Sequence, residues 1–509
     1  MVQPSHALTN QFTTTLGQRT QRAAARHPGL TGLRLLDSNL EALVARVEMA
    51  EAAENTLDLQ SYIIWGDASG RLLAGRILEA ADRGVRVRVL VDDINIVWKD
   101  SWITRLDAHP RIEVRVFNPF LGRRTSWLLV LRDLVEAGRL TRRMHNKLFV
   151  ADNAVAIMGG RNIGDEYFAA RPDRNFEDLD VIVVGAAVSD LSRSFDAYWN
   201  SSWAFPLAHW KSEREQNRDI RKLRAGVSGD PERPLPEAFQ EALEQMRLLD
   251  DLLNDGTELN WGRARVVYDR PQKISGGDAN GSGIQVLPEV WDLVAAVQEE
   301  LIIISPYFVP GQRGADLLRA LRQRGVRIRI LTNSLGSTDV SLAQTGYYRY
   351  RRRLLEAGVE LYELRPTAMS RLADQRWFRR HATRPQTSLH AKAFVFDRQR
   401  ILVGSMNFDQ RAHYLNTELG LVIEQPEAAS RLAALFEESI QPRHSYRMEL
   451  RTFERVTSPK LADQPGGRWP VWIAELEGRE VSFSQEPDVS VLRKIWAGLL
   501  GLLPLEGQL

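Results

Sequence analysis

The string MHNKLFVADNAVAIMGGRN at residues 144–162 returns, slightly altered, as LHAKAFVFDRQRILVGSMN at residues 389–407. Each copy places a histidine two positions before a lysine, an aspartate five residues after that lysine, and a glycine seven residues after that aspartate. Both copies then end on an asparagine. Two strings with the same internal spacing predict two copies of one structural unit within the chain.

A second pair of similar strings extends the duplication beyond the motif. AADRGVRVRVLVDD at 80–93 matches LRQRGVRIRILTNS at 321–334, and their glycines, Gly84 and Gly325, are 325 − 84 = 241 residues apart. The two motif histidines are 390 − 145 = 245 residues apart. Because the two offsets are nearly equal, we infer that a whole unit is duplicated in register.

Each half has the pattern of an apolar strand, a helix and an alternating strand within about 35 residues, which is a βαβ unit with parallel strands. The fold class is therefore α/β, with two similar lobes related by a pseudo-twofold axis and an active site at their interface. The predicted division is a first lobe at 1–210, a charged connecting segment at 211–240, a second lobe at 241–440 and a C-terminal extension at 441–509.

Two apolar segments are candidates for contact with a membrane. One lies at 123–140, just before the first motif, and the other is an 11-residue apolar run from Ile495 to Leu505. That run is too short to cross a bilayer and favours equally a helix lying in the membrane interface and a helix packed on the protein's own core.

Composition excludes several classes of function. The chain has 509 residues with 44% hydrophobic and 26% charged content, enough for two or three globular domains. It has no cysteine, which excludes a thiolate nucleophile, a disulfide framework and a Cys-based zinc site. The formal charge of +2 gives no support to a nucleic-acid partner. Neither a membrane-spanning helix nor a signal peptide is predicted.

The motif residues suit the chemistry of one phosphate group. Residues two apart in an extended strand point to the same face, so each histidine projects beside its lysine. A hairpin turn at Asp152-Asn153, and another at Asp397-Arg398, returns the asparagine to that face. Lysine and asparagine donate hydrogen bonds to phosphate oxygens, while imidazole can act as nucleophile or general acid. The predicted catalytic set, at one interface between the lobes, is His145, Lys147, Asn162, His390, Lys392 and Asn407.

No metal or cofactor is expected at this site. The usual metal-ligand clusters do not occur near either motif, and the two lysines would repel a divalent cation. We therefore predict phosphodiester transfer through a phosphohistidine, with the developing charge held by lysine.

The repeated pattern His-x-Lys-x4-Asp-x6-Gly-(Gly/Ser)-x-Asn resembles the phospholipase D superfamily, and the likeness covers essentially the whole chain. RRMHNKLFVADNAVAIMGGRNIGDEYF, FEDLDVIVVG, SPYFVPG, SMNFDQRAHYLNTELGLVIE and LPLEGQL are similar to its bacterial cardiolipin synthase branch. Within that branch the chain resembles the short form without N-terminal transmembrane helices.

The resemblance assigns roles to further residues. It implies that the motif aspartates, Asp152 and Asp397, are structural. It also implies that Asp178 and Glu418, each on the strand that follows a motif, orient the histidine of their own half. The second copy has Ser405 beside this group where the first has Gly160.

The resemblance also implies the substrates. It points to a phosphatidyltransferase that forms cardiolipin from phosphatidylglycerol and a second phospholipid, either phosphatidylglycerol again or phosphatidylethanolamine. The alternative is a phospholipase D that hydrolyses phospholipids to phosphatidic acid. The expected location is peripheral, on the bacterial inner membrane, and the oligomeric state is left open. A nuclease is disfavoured by the fused duplication, and an inactive membrane-binding module by the completeness of both motifs.

His145 is predicted to be the nucleophile and His390 the general acid and base. Family tendency favours this assignment, and so do Arg142 and Arg143, because positive charge near His145 lowers the pKa of its imidazole.

Overall fold

The computed structural model describes residues 3–95, 103–120, 137–207, 221, 223–224, 235, 237–254, 259–275, 286–368, 386–452, 468–476 and 478–500. The strands are β1 Thr31–Leu36, β2 Thr56–Ser61, β3 Arg86–Asp92, β4 Ile112–Phe117, β5 Leu148–Ala151, β6 Val155–Gly159, β7 Arg174–Glu177, β8 Asp180–Gly185, β9 Ala204–Pro206, β10 Asn260–Tyr268, β11 Glu300–Ile304, β12 Arg327–Asn333, β13 Glu360–Leu364, β14 Gln386–Leu389, β15 Ala393–Phe396, β16 Arg400–Gly404, β17 Leu419–Glu424, β18 Ser445–Thr452, β19 Arg468–Leu476 and β20 Arg479–Phe483.

The α-helices are α1 Thr15–Ala24, α2 Asn39–Ala52, α3 Ala68–Asp82, α4 Ile103–Leu106, α5 Ala137–Leu140, α6 Ala186–Trp199, α7 Glu237–Gln245, α8 Leu248–Asn254, α9 Val286–Ala295, α10 Gly311–Gln323, α11 Ser341–Glu356, α12 Gln410–Tyr414, α13 Pro426–Ser439 and α14 Val491–Leu500. Short 3₁₀ helices cover Gln11–Thr13, Asp93–Asn95, Asp165–Tyr167 and Pro271–Ser275.

Strand pairing confirms the duplicated βαβ units. In the first half, β2, β3 and β4 pair in parallel and α3 connects β2 to β3. In the second half, β11, β12 and β13 pair in parallel and α10 connects β11 to β12. The motif hairpin then joins the same edge of each set, as β5 against β2 and as β15 against β11.

The two halves share one continuous sheet. The first half runs β9–β4–β3–β2–β5–β6–β8–β1. The antiparallel pair β1–β10 joins it to the second half, which runs β10–β17–β16–β15–β11–β12–β13–β18–β19–β20. The motif hairpins therefore lie in corresponding positions of the two halves.

Buried apolar side chains form three clusters. One lies in the first half and also takes in apolar side chains of residues 223–259, including those of α8, and one lies within the second half. The third is shared, since it combines Phe195 of α6 and Val181 of β8 with Phe436 of α13 and Leu421 of β17. Because strands buried on both faces carry nearly continuous apolar side chains, Val181–Val184 and Leu421–Ile423 are entirely apolar. The shared core fixes one half against the other.

Two further backbone contacts between the halves lie outside the large sheet. β7 pairs in parallel with β14, which matches Leu389 to Glu177. On the other side, Met144 and Thr417 form an isolated parallel bridge. Each contact joins the residue before a motif histidine to the residue before Asp178 or Glu418, so the pseudo-twofold arrangement of the sequence extends to the interface.

The C-terminal part of the chain continues the sheet of the second half. β18 adds to β13, and β19 and β20 follow it at the edge. After this edge α14 packs against α11. Within the described ranges, no helix combines the length and the apolar character needed to cross a membrane.

Three predicted segments lie wholly or largely outside the described residues. They are the connecting segment at 211–240, the apolar segment at 123–140, and the end of the apolar run that begins at Ile495.

Candidate active site

The His-x-Lys sequences precede their strands. β5 begins at Leu148 and β15 at Ala393, one residue after the motif lysine in each case. The predicted placement on a strand is therefore wrong by a few residues. The physical reason is a backbone contact across the interface: the N–H of His145 donates to the Thr417 carbonyl at 2.9 Å, and that of His390 to the Glu177 carbonyl at 2.7 Å.

Each motif aspartate closes a hairpin turn, as predicted. Asp152 and Asn153 both have φ of 51°, and the matching pair Asp397 and Arg398 have φ of 50° and 53°. Two consecutive residues with positive φ are typical of a type I′ turn, which suits the twist of an antiparallel pair.

The aspartate carboxylates also tie each hairpin to the strand beside it. The Asp152 carboxylate accepts hydrogen bonds from three backbone N–H groups at the start of β2, those of Glu54, Asn55 and Thr56. The Asp397 carboxylate does the same at the start of β11, for Gln298, Glu299 and Glu300. These contacts are those of structural residues.

We expect Asp152→Ala to lower the free energy of unfolding by about 2–4 kcal/mol, because three backbone N–H groups lose a charged acceptor in a buried place. Asp397→Ala should cost less, since water reaches this partly exposed carboxylate. Denaturant unfolding measures both values. Turnover per folded molecule should stay near the wild-type value, so a stable but inactive Asp152→Ala protein would contradict the structural role.

Each histidine is paired with a carboxylate of the opposite half. His145 Nδ1 lies 3.0 and 3.1 Å from the two Glu418 carboxylate oxygens. His390 Nδ1 lies 2.5 Å from Asp178 Oδ2. The expected pairing within one half is therefore wrong, although the four residues are those that were predicted. The crossing follows from the two interface contacts, which set each histidine segment beside the carboxylate segment of the other half.

The two lysines lie beneath the histidines and are buried. Lys147 Nζ donates to the His145 carbonyl at 2.6 Å and lies 5.4 Å from the centre of the Tyr62 ring. Lys392 Nζ donates to the His390 carbonyl and lies 2.9 Å from His390 Nδ1. Burial lowers the pKa of Lys147 well below its usual range and that of Lys392 to about 8. An anion is therefore a favourable neighbour for both groups.

The two asparagines differ in how they are held. Asn162 Oδ1 accepts a hydrogen bond from the Ile63 N–H at 3.2 Å, and its amide donates to the Tyr167 hydroxyl at 2.8 Å. Asn407 is 5% exposed, and its Oδ1 has no hydrogen-bond partner among the described residues. A buried amide oxygen without a partner is uncommon in a native core.

The two imidazoles have different electrostatic surroundings. Burial lowers the pKa of His145 well below its usual range, and the charges of Lys147 and Lys392 lower it further. Burial raises the pKa of its partner, Glu418, to about 7. Burial also lowers the pKa of His390. Burial alone would raise the pKa of Asp178, but the charge and hydrogen bond of His390, together with the charges of Lys392 and Arg161, outweigh it and hold this carboxylate ionised.

No obvious metal centre accompanies these groups. Within the described ranges, no three or more His, Asp or Glu side chains form a group that could hold a metal ion. The donor groups of the six motif residues are imidazole, ammonium and amide, which suit a phosphate.

Comparison with known proteins identifies the family. A family model described as "Cardiolipin synthase, PLD-like domain" matches residues 47–199 and again residues 291–440. Together the two matches cover more than half of the chain, and each contains one motif. The chain belongs to this phospholipase D-like family. The resemblance and the two-lobed α/β fold predicted from the sequence are confirmed.

Relatives in the family extend over nearly the whole chain. The sequence is 38% identical to cardiolipin synthase C of Escherichia coli (strain K12) over 95% of this chain and 97% of that protein. It is 25% identical to cardiolipin synthase A of Pseudomonas syringae pv. syringae (strain B728a) over 79% of this chain and 67% of that protein. The solved phosphatidylserine synthase of Haemophilus influenzae Rd KW20 has the same fold, with a TM-score of 0.55 at 17% identity over 84% of this chain and 92% of that one.

The arginines predicted to act on His145 are engaged elsewhere. Arg143 is buried and pairs with Asp92 at 3.3 Å, while Arg142 donates to the Lys273 carbonyl. Among the main causes that lower the pKa of His145, after burial, Lys147, Lys392 and His390, is the charge of Arg411 of the other half. The arginines of RRMHNK, Arg142 and Arg143, are therefore not the main charges that lower the pKa of His145.

Three aromatic rings that line the histidines were not predicted. The Tyr62 ring meets His145 edge to face at 5.2 Å between centroids. The rings of Tyr167 and Phe176 lie 5.2 and 5.0 Å from that of His390. In the sequence these aromatics follow or flank apolar strands, so nothing separates them from ordinary core residues.

The one departure between the motif copies matches the carboxylate beside it. A Cβ at Gly160 would lie 2.0 Å from Asp178 Oδ1, so only glycine leaves room for this aspartate. In the second half, the Ser405 hydroxyl donates to Glu418 Oε2 and accepts from the Leu419 N–H at 3.0 Å. Gly160 therefore lies beside an aspartate, Asp178, and Ser405 lies beside a glutamate, Glu418, whose side chain is one methylene longer.

We expect Gly160→Ala to lower kcat by about 10²-fold or more, because the new methyl group displaces Asp178 from His390. Ser405→Ala is the matched control: it removes one hydrogen bond to Glu418 without filling space, and should cost less than about 10-fold. Steady-state rates, with thermal unfolding to show that both variants fold, measure the difference. Wild-type turnover by a folded Gly160→Ala variant would contradict this account of the glycine.

Proposed function

We propose that the protein is a phosphatidyltransferase that forms cardiolipin from phosphatidylglycerol and a second phospholipid. The observation that carries the proposal is the crossed pairing of two buried histidines with two carboxylates, beside two buried lysines, at the interface of the two halves. The site uses the interface between the lobes proposed at 1–210 and 241–440, so neither lobe alone should be active.

The phosphatidyl group is then transferred in two steps, first to a histidine and then to the acceptor alcohol. Since the Nδ1 of each ring faces a carboxylate, Nε2 is the free atom. Nε2 of His145 attacks phosphorus of the donor lipid, and the bond to the leaving alcohol breaks as His390 gives that alcohol a proton. The hydroxyl of phosphatidylglycerol next attacks the phosphohistidine, gives its proton to His390 and releases His145.

The electrostatics support His145 as the nucleophile, though for a different reason from Arg142 and Arg143. Burial keeps the His145 imidazole neutral, and the raised pKa of Glu418 weakens the stabilisation of an imidazolium there. Asp178 stays ionised beside His390, and a charged carboxylate stabilises the protonated form of its partner. The pKa of His390 is also lowered by burial, but Asp178 opposes that shift, so His390 is the ring that takes up a proton more readily and suits the role of acid in the first step.

The phosphate oxygens are proposed to bind Lys147, Lys392 and the two motif asparagines. An anionic phosphodiester restores the protonated state that burial disfavours in both lysines. The same charges stabilise the transition state, so Lys147→Ala or Lys392→Ala should cost about 2–4 kcal/mol of that stabilisation.

Activity should not depend on a metal, because lysine supplies the positive charge at phosphorus. We expect the initial rate of cardiolipin formation to be unchanged by EDTA in metal-free buffer. The rate is measured at matched ionic strength, since chelator and salt also change the membrane surface. Complete loss in EDTA, restored only by a divalent cation, would show that the lysines do not replace a metal.

Analysis of lipid products tests the function itself. The purified protein is given phosphatidylglycerol alone, phosphatidylethanolamine alone, or both, and the products are separated. Cardiolipin in the first or third mixture supports the transferase, and comparing the two identifies the donor. Phosphatidic acid as the only product in every mixture would make the protein a hydrolase.

The substrates also set the place of action. Their acyl chains lie in a bilayer, so the protein is proposed to act peripherally at the bacterial inner membrane, with no nucleic-acid partner. The aromatic rings beside both histidines give the site apolar walls that suit a lipid.

A further inference from the structure

Helix α14 presents an apolar face away from the rest of the protein. Five of its side chains are between 53% and 73% exposed. At 3.6 residues per turn, their positions fall within about 140° of the helix circumference. These residues, called here the apolar face of α14, are Val491, Leu492, Ile495, Trp496 and Leu499.

This concentration of exposed apolar side chains occurs nowhere else in the described residues. Eleven large apolar side chains there are at least 36% exposed, and five of the eleven belong to α14. The other six are spread over separate segments, where single exposed apolar residues are ordinary. A contiguous set on one helix is instead typical of an interaction surface.

The opposite side of α14 is fixed to the protein. Arg493 donates hydrogen bonds to the carbonyls of Gly336 and Thr338, and the helix packs on α11. Ahead of the helix, Asp488 accepts a hydrogen bond from the Tyr446 hydroxyl. The apolar face is therefore held in a defined orientation, outward.

The loop that holds α14 also supports the His390 side of the site. The Asn333 side chain bonds both the N–H and the carbonyl of Leu389, the residue before His390, at 2.9 Å each. Ser337, between the two carbonyls that Arg493 contacts, donates to Asn333 Oδ1 at 2.9 Å. A chain of hydrogen bonds thus runs from Arg493 of α14, through the loop at Ser337 and the Asn333 side chain, to Leu389 beside His390.

Asp339, which follows Thr338 in the same loop, acts on the site through its charge. Asp339 is exposed and accepts hydrogen bonds from the Tyr307 hydroxyl at 2.8 and 2.9 Å. Burial lowers the pKa of Lys392 to about 8, and the charge of Asp339 is among those that oppose this shift. The exposed Asp339 therefore marks a solvent-facing edge of the site on the side of α14.

The charges around α14 suit an anionic surface. Residues 491–500 contain no acidic residue, and of their two basic residues Arg493 is held against the protein while Lys494 falls about 60° around the helix from Val491, at the border of the apolar face. Arg174 of the first half is close enough to lower the pKa of Arg493, after burial. An apolar face that carries a tryptophan and is bordered by a lysine is the pattern of a helix that lies in the interface of a bilayer containing anionic lipid.

We propose that the apolar face of α14 docks on the surface of an anionic phospholipid bilayer and brings the His390 side of the active site to the membrane. The choice of a bilayer as occupant rests on the proposed function, because the substrates of that reaction lie in one. A second copy of the chain and the protein's own remaining residues are the other occupants, and the tests below separate them.

Vesicle binding tests the surface. The full chain is mixed with vesicles of phosphatidylcholine containing phosphatidylglycerol, and the bound fraction is measured by flotation. The triple variant Leu492→Gln, Ile495→Gln, Trp496→Gln should bind at least about ten-fold more weakly, because apolar area buried in the interface drives binding. The matched control is Phe205→Gln, a 40% exposed apolar residue on β9 at the other end of the sheet, which should bind like wild type. Equal binding by the triple variant overturns the proposal.

A fluorescent label at position 492 shows whether lipid or protein covers the apolar face of α14. The chain has no cysteine, so Leu492→Cys provides a unique site for an environment-sensitive dye. Its emission should be that of an exposed label in buffer and should shift to the blue when vesicles are added. A blue-shifted spectrum in buffer that vesicles do not change would mean that protein covers the face. A triple variant that only changes the oligomeric state, measured by light scattering, would assign the face to a second copy.

Activity assays in micelles and on vesicles test the docking surface and the proposed function independently. In detergent micelles, where substrate is dispersed, the triple variant should form cardiolipin within about two-fold of wild type, and on vesicles it should lose at least about ten-fold. A protein that docks through α14 but forms no cardiolipin in either system would contradict the function and keep the surface. Equal rates of the variant and wild type on vesicles would contradict the surface and keep the function.

Discussion

Replacing either His145 or His390 by alanine is expected to abolish transfer, with a loss in kcat on the order of 10⁴-fold or more. One imidazole forms the bond to phosphorus and the other moves the proton of the alcohol, so neither step has a substitute. Steady-state cardiolipin formation measures the loss. His6→Ala, at an exposed histidine in the first half, is the matched control and should keep the wild-type rate.

The two histidine variants should differ once the leaving group needs no proton. A phosphatidyl donor with an acidic phenol as leaving group requires only the nucleophile in the first step. His390→Ala should then release one equivalent of phenol in a burst, whereas His145→Ala should release none. A burst in His145→Ala and none in His390→Ala would reverse the two roles.

Removing the carboxylates should have the next largest effect. We expect Asp178→Asn to lower kcat by about 10²–10⁴-fold, because an amide can turn its N–H₂ toward His390 and no longer stabilises the imidazolium. Glu418→Gln should cost less, because the raised pKa of Glu418 leaves it partly protonated near pH 7 already. Rates measured across neutral pH on folded variants give both values.

An NMR titration tests the crossing of these pairs. Imidazole resonances are assigned by the His145→Ala and His390→Ala variants. Asp178→Asn should move the resonances of His390 and lower its pKa further, since Asp178 favours the charged ring. It should leave those of His145 nearly unchanged. If only the His145 resonances moved, Asp178 would pair with the histidine of its own half, which would contradict the crossed pairing.

The parts of the site that sequence reasoning predicted are those fixed by local spacing. The hairpin turns at Asp152 and Asp397, and the parallel βαβ units, depend on residues close together in the chain. The carboxylates that meet the histidines, Asp178 and Glu418, were instead identified through the family resemblance.

The arrangement across the interface could not be predicted in this way. The sequence of the two copies is compatible with Asp178 meeting either histidine, and only the β7–β14 pairing decides between them. The same contacts draw the His-x-Lys segments out of the large sheet. Arg411 acts on His145 from the other half, a distance of 266 residues along the chain (411 − 145). The joining of the two halves through β1 and β10 is likewise a tertiary feature without a local pattern.

Peptide mapping of a trapped intermediate tests the central claim most directly, which is a single site between the lobes that forms a phosphohistidine. His390→Ala is given the donor with the acidic phenol and stopped at alkaline pH within one turnover, since phosphohistidine is lost in acid. The account predicts one phosphatidyl group per chain, on the peptide that carries His145. Absence of any histidine adduct, or an adduct on His390 when His145→Ala is treated in the same way, would contradict it.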